Sequence, residues 1–114
     1  MSDLNYTYLD IAKMIDHSLL NPILTAAELE KGCQLALDYD TASVCILPYY
    51  LKRCAEILRG SDVKASTTIG FPHSCHTTAI KVAEAERALA DCRGWLGLPP
   101  AQIMRETEAA VPAQ

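Results

Sequence analysis

Three short runs of apolar or β-branched residues contain or adjoin side chains that could do chemistry. The first run carries Asp16 and Ser18, the second carries Cys45, and the third carries Thr68 and leads into Phe71. A carboxylate, two hydroxyls and a thiol can hydrogen-bond a polar substrate. An aromatic ring can form an apolar wall beside them. If the three runs are neighbouring strands, these five residues are the first candidates for a functional site.

Each run is followed by a longer segment with helical spacing, and this alternation is typical of βα units in a parallel sheet. The pattern predicts strands near residues 16–20, 42–47 and 63–69, with helices near 8–14, 25–40, 48–60 and 76–90. In parallel sheets of this kind the chemistry takes place at the carboxyl ends of the strands. We therefore expect the five side chains at that end of the sheet, with Asp16 and Ser18 at the end of the first strand.

Local signals define the helices. Thr25 and Glu28 have the spacing of a capping box, in which each side chain accepts a hydrogen bond from the other residue's amide. Pro48 suits the first turn of a helix because its missing amide hydrogen is not needed there. Apolar residues at helical spacing predict buried faces on the last two helices; they are Leu51, Cys54, Ala55 and Leu58, then Ile80, Ala83, Ala85, Ala88 and Leu89.

Composition excludes several classes of protein. The chain has 114 residues, 50% of them hydrophobic and 21% charged, as expected for one globular domain. Its net charge of -4 and scattered basic residues argue against a nucleic-acid surface. No apolar run approaches the roughly 20 residues that span a bilayer, and we see no signal peptide. Five cysteines without a Cys-x-x-Cys pair predict reduced thiols in the cytoplasm.

His73, Cys75 and His76 form a His-x-Cys-His cluster whose sulfur and imidazole groups could bind zinc. A structural zinc site normally has four protein ligands, and the sequence offers no second cluster. We therefore interpret the segment as a polar βα loop followed by a helix cap and expect no metal. His17 is interpreted as a structural or exposed residue.

Five short motifs occur in order, with regular gaps, at residues 15–22, 42–48, 60–64, 68–73 and 77–86. On these motifs, about three quarters of the chain, from about residue 8 to 91, resembles the N-terminal part of the deoxyribose-phosphate aldolase family. The resemblance implies an α/β fold: a partial TIM (β/α)8 barrel of about three βα units. Residues 92–114 depart from the family pattern, and we expect them to form a separate irregular or helical tail.

The resemblance also implies an activity. The family consists of class I aldolases that form a Schiff base with a lysine and cleave 2-deoxyribose 5-phosphate to glyceraldehyde 3-phosphate and acetaldehyde, without metal or other cofactor. The family's Schiff-base lysine, second lysine, catalytic aspartate and phosphate-binding residues have no matching position here. Lys64, near the start of its strand, and Lys81, in a predicted helix, are not substitutes. We therefore assign no catalytic residue and expect this chain alone to lack aldolase activity.

The resemblance places the five candidates in the substrate pocket. It implies that Asp16 and Ser18 belong to a hydrogen-bond network, with Ser18 replacing a more usual threonine. It puts Cys45 near the aldehyde without making it a nucleophile, and it puts Thr68 and Phe71 in the pocket wall. Without the resemblance, Asp16 would be a residue capping a backbone turn, Cys45 a small buried side chain, and the last two ordinary core or turn residues.

Three hypotheses remain open. The first is an aldolase-family chain that needs the missing βα units for activity on its sugar phosphate. The second is a non-catalytic α/β fragment that oligomerises or binds a partner through open sheet edges. The third is a fragment that complements a separate chain carrying the other βα units.

Overall fold

The computed structural model describes residues 4–92 as four helices packed on a three-stranded parallel sheet. The helices are α1 (Tyr8–Ala12), α2 (Ala26–Tyr39), α3 (Leu51–Leu58) and α4 (Thr78–Asp91). The strands are β1 (Asp16–Leu19), β2 (Ser43–Ile46) and β3 (Lys64–Thr67), and their spatial order is β1-β2-β3. The predicted order of elements is confirmed, and the architecture is an α/β partial barrel. The predicted tail lies outside the described residues, apart from Cys92.

Each long crossover between strands begins with a recognisable local signal. At the start of α2, the Thr25 hydroxyl accepts a hydrogen bond from the Glu28 amide at 3.2 Å, and the Glu28 carboxylate accepts one from the Thr25 amide at 2.7 Å. The predicted capping box is therefore confirmed. Pro48 starts a short 3-10 turn, Pro48–Tyr50, rather than the first turn of α3. The chain enters α3 only after this tighter turn.

The core lies between the sheet and helices α2 and α3. Its largest fully buried side chains come from both helices, from β2 and from the residue before β3; they are Leu29, Ile46, Leu51, Leu58, Val44, Val63, Cys33 and Cys54. The predicted buried face of α3 is confirmed. Burial of such aliphatic side chains, at about 1.5–3 kcal/mol each, is the main source of stability for this layer.

Helix α4 departs from the sequence prediction. Of its five predicted core residues, Ala88 alone is buried, while Ile80 is 58% exposed. Helix α4 packs against α3, and the Glu84 carboxylate accepts a hydrogen bond of 2.7 Å from the Gly70 amide. Within residues 4–92 the sheet ends at β3, so there is no further strand for the rest of the apolar face of α4 to cover.

Two kinds of feature are absent from the described part of the chain. No helix within residues 4–92 is long and apolar enough to cross a membrane. Over the same residues, no cluster of three or more histidine, cysteine or acidic side chains is arranged to hold a metal ion. His73, Cys75 and His76 are all exposed, in the loop that leads to α4.

Candidate functional site on the open face of the sheet

The two faces of the sheet are different in kind. Val44, Ile46 and Ala65 point toward the helices and belong to the core, and Leu19 packs against the same cluster. Because side chains alternate along a strand, the residues between them point to the opposite face. Within the described chain no helix covers that face, which would become the interior of a complete barrel. It is therefore the place to look for a site.

Strand register places the candidate residues in rows across the open face. Asp16 lies opposite Ser43, which lies opposite Lys64. Ser18 lies opposite Cys45, which in turn lies opposite Ser66. Sequence analysis named three of these six positions and excluded Lys64. Ser43 and Ser66 were missed as site residues, although their alternation with core positions could have identified them.

Asp16 is not where the sequence analysis expected it. It is the first residue of β1, not a residue at the end of the strand. At about 3.3 Å per residue, it lies roughly 10 Å along the strand axis from Leu19. The Ser43 hydroxyl donates a hydrogen bond of 2.6 Å to Asp16 Oδ1 and so fixes the carboxylate across the strand pair. Because β1 is only four residues long, its two residues on the open face, Asp16 and Ser18, are its first and third residues.

Cys45 lies at the centre of the second row and is 8% exposed although it faces away from the helices. Burial raises the pKa of its thiol, a hydrogen bond with Ser66 lowers it in part, and the charge of Asp16 raises it again. A thiol with a raised pKa is protonated at neutral pH and is a poor nucleophile. The geometry therefore agrees with a pocket-lining thiol rather than a reactive one.

Thr68 and Phe71 follow β3 and lie outside the two rows of paired strand residues. Thr68 comes directly after the last strand residue, and its Oγ1 is buried with no hydrogen-bond partner among residues 4–92. A buried hydroxyl without a partner is costly, so this atom is suited to meet a polar group absent from the described chain. Phe71 is 47% exposed in the loop before α4.

Lys64 lies away from the carboxyl end of the sheet, whereas Lys81 lies beside the loop that follows β3. Lys64 is the exposed first residue of β3, at the amino end. Lys81 is in α4, where its ammonium group reaches the Ser74 carbonyl at 3.5 Å. A Schiff-base lysine needs a desolvated site or a neighbouring cation that lowers its pKa. Neither lysine occupies such a site in the described part of the molecule.

No family model matches the chain. A deoxyribose-phosphate aldolase from Rhodopirellula baltica is 68% identical over 87 residues, which cover 76% of this chain and 36% of that protein. One from Brevibacillus brevis is 47% identical over 83 residues, covering 73% of this chain and 38% of that protein. Over the matched residues, this chain is similar to the N-terminal part of a deoxyribose-phosphate aldolase.

Structural comparison supports the same assignment. The deoxyribose-phosphate aldolase of Aeropyrum pernix, described as a tetramer, superposes with a TM-score of 0.73 at 25% identity. The match covers 91% of this chain and 47% of that one. The predicted family resemblance and the partial-barrel fold are thus confirmed. The chain spans about a third of the length of the curated relatives it matches.

Proposed function

We propose that residues 8–91 supply the first three βα units of a class I deoxyribose-phosphate aldolase. The single observation that carries this proposal is the 68% identity to the Rhodopirellula baltica protein over 87 residues. The reaction would cleave 2-deoxyribose 5-phosphate to glyceraldehyde 3-phosphate and acetaldehyde through a lysine Schiff base, without metal or other cofactor. The lysine and the phosphate site would come from sequence outside these 114 residues.

The open face of the sheet would form one side of the substrate pocket. Ser18 offers a hydroxyl to the hydroxyl groups of the sugar. Asp16, held by Ser43 at the amino end of the strands, offers a carboxylate from the deeper part of the pocket. Cys45 offers a neutral thiol beside the aldehyde, and Thr68 offers a hydroxyl that has no partner within residues 4–92. Phe71 would complete the apolar wall of the pocket once its loop is covered by the rest of the barrel. In this role the described residues bind and orient the substrate, and none of them forms the covalent bond.

Borohydride trapping tests the claim that the Schiff-base lysine lies outside these 114 residues. The purified 114-residue chain is incubated with acetaldehyde and sodium borohydride, and intact mass is measured. We expect no specific adduct, because neither Lys64 nor Lys81 lies in a desolvated site. The full-length Rhodopirellula baltica enzyme is the positive control. A stoichiometric adduct on one lysine of this chain, competed by the sugar phosphate, would show that the chain carries its own nucleophile.

Self-association is a second candidate function, and the unpaired outer edges of β1 and β3 in the described sheet favour it. Such edges can pair with another chain. Light scattering of the purified chain would show dimers or larger species, and a monomer at all concentrations would contradict the idea. A cytoplasmic location is also proposed, supported by the odd number of cysteines and by the lack of a Cys-x-x-Cys pair in the sequence.

A further inference from the structure

Cys33 on α2 and Cys54 on α3 meet where the two helices pack together. Their sulfur atoms lie 3.7 Å apart, within the distance of a hydrogen bond between thiols, although the residues are 21 positions apart in the sequence. Both side chains are fully buried, and both are free thiols. They belong to the core on the helix side of the sheet, away from the open face that carries Asp16 and Cys45. The proposed substrate pocket therefore makes no use of this pair.

The two helices are already held side by side around the pair. Leu29 from α2 and Leu51 from α3 belong to the same buried cluster. On the surface, the Arg53 guanidinium donates a hydrogen bond of 3.0 Å to Glu30 Oε1, which is a second contact between the helices. A disulfide has an S–S distance of about 2.05 Å, so the two sulfur atoms need to approach by roughly 1.7 Å. Rotation about the Cα–Cβ bonds can supply this movement while the helices stay in place.

The two thiols differ in how readily they lose a proton. The hydrogen bond with Cys54 lowers the pKa of Cys33, burial opposes that shift, and the charge of Arg53 adds to the lowering. The same hydrogen bond and burial both raise the pKa of Cys54. The thiolate is the form of cysteine that attacks an oxidant. Cys33 is therefore the thiol that reacts first, beside a Cys54 thiol that keeps its proton.

We propose that Cys33 and Cys54 form a reversible disulfide between α2 and α3 when the chain meets a peroxide. With hydrogen peroxide, the Cys33 sulfur attacks one oxygen, an S–O bond forms, the O–O bond breaks, and the leaving hydroxide takes up the proton lost by Cys33. The Cys54 sulfur then attacks the Cys33 sulfur, an S–S bond forms, the S–O bond breaks, and hydroxide leaves as water with the Cys54 proton. The thiols are oxidised, and the peroxide is reduced to water.

The bond would close a loop of chain that contains β2. Such a cross-link restricts the unfolded chain and so favours the folded state. Because both sulfur atoms are buried, local opening between α2 and α3 sets the rate at which a small oxidant reaches them. In a reducing compartment the disulfide is transient and returns to thiols when the oxidant is gone. The pair would therefore make the central layer more resistant to unfolding under oxidising conditions.

Packing alone is the other explanation for two buried cysteines, since a free cysteine often serves as a small apolar side chain. Cys45 illustrates that role, because it is buried as well, yet its hydrogen-bond partner is Ser66 and its pKa is raised by burial. Cys33 differs from Cys45 in having a second thiol as its neighbour and a cation close by. These two differences favour a redox pair.

Intact mass measured on the purified 114-residue chain tests the proposal. A Cys75→Ser background removes the exposed thiol, which would otherwise cross-link separate chains. After timed exposure to hydrogen peroxide, we expect a loss of about 2 Da that dithiothreitol reverses. Peptide mapping without reductant should show the peptides of Cys33 and Cys54 linked to each other. The thermal midpoint of the oxidised chain should rise by at least about 5 °C and fall back on reduction.

Alanine variants assign the order of the two steps and keep a small apolar side chain in the core. Cys54→Ala should prevent the cross-link and leave a sulfenic acid on Cys33 that dimedone traps. Cys33→Ala should prevent the cross-link and slow the oxidation of Cys54 at least about tenfold, because that thiol keeps its proton. Cys92→Ala is the matched control at a partly buried cysteine packed against the same core, and the cross-link should form as before.

Peptide mapping of the chain that keeps both cysteines decides the question even if an alanine variant unfolds. Addition of oxygen to either cysteine without the linked peptides overturns the proposal. A linked pair that includes Cys45 or Cys92 also overturns it, as does a cross-link that forms only in urea. These results are independent of the aldolase proposal, which borohydride trapping tests separately.

Discussion

The central layer of this molecule buries more of its apolar side chains than the flanks do. The central layer, formed by β2, α2 and α3, fully buries Leu29, Ile46 and Leu58, although Leu35 and Tyr39 on the outer side of α2 are about half exposed. The flanks, formed by α1 beside β1 and by α4 beside β3, leave Ile11 and Ile80 about half exposed. Because burial is the main stabilising term, the centre holds the fold together. The flanks leave apolar side chains that the rest of residues 4–92 does not cover.

Removing a large side chain should show the greatest contrast. Leu58→Ala in the central layer should lower the free energy of unfolding by about 2–5 kcal/mol, because it leaves a cavity among fully buried neighbours. Ile80→Ala on the flank should change it by no more than about 0.5 kcal/mol. Urea unfolding followed by circular dichroism measures both. Equal losses for the two variants would mean that α4 is as tightly packed as the centre.

Thiol reactivity should follow the same division. Cys33 and Cys54 are fully buried in the centre, and the hydrogen bond between them, together with burial, raises the pKa of Cys54. Cys75 is exposed in the loop before α4. With Ellman's reagent we expect Cys75 to react at least roughly a hundredfold faster than the central pair, whose reaction requires opening of the fold. A Cys75→Ser control should lose the fast phase, and a fast phase that survives would argue against this ordering.

A substitution at Gly32 tests how closely α2 packs against β1. A Cβ atom there would lie 2.6 Å from Leu19 Cδ1. At an open helix position, glycine to alanine stabilises by up to about 1 kcal/mol, but overpacking costs about 1–3 kcal/mol. We expect Gly32→Ala to lower the thermal midpoint and Leu19→Ala to relieve much of that additional strain in a double-mutant cycle. A midpoint raised by Gly32→Ala alone would show that Leu19 moves aside without cost.

We expect the smallest difference in stability between variants in the first turns of α2 and α4. The Thr25 side chain caps α2, whereas Thr77 begins α4 with no side-chain cap bond. Thr25→Ala should cost about 1 kcal/mol and Thr77→Ala close to none. The capping hydrogen bonds lower the pKa of Glu28 below its ordinary value. The largest cause is the bond from the Thr25 amide, which Thr25→Ala keeps. That stabilisation is present at neutral pH and disappears as the pH falls through the lowered pKa, so the loss caused by Glu28→Ala should shrink in acid while the loss caused by Thr25→Ala largely persists.

Sequence patterns predicted the elements of the central layer well because the signals there are local. The Thr25 capping box and the spacing of Leu51 and Leu58 depend on residues within one helix, and the structure contains both. The 3-10 turn at Pro48 was missed, since proline fits the start of either kind of helix.

The site and the flanks were predicted less well. The site depends on the register between neighbouring strands, and burial on the flanks depends on which elements cover them. Strand order could be anticipated, but the row that joins Asp16, Ser43 and Lys64 requires knowing where β1 starts. Helical spacing predicted a buried face on α4, yet exposure of Ile80 depends on whether a fourth strand lies beneath it. The buried Nε2 of His17 has no sequence signature, because burial of one atom depends on the tertiary structure around it.

The pairing of each strand with the next one along the chain has a consequence for synthesis on the ribosome. No contact between β1, β2 and β3 has to wait for residues beyond Thr67, so the central layer can assemble while later sequence is still being made. The nascent chain would then present a preformed template to the residues made afterwards. Packing of α4 against α3 would be a late step of folding.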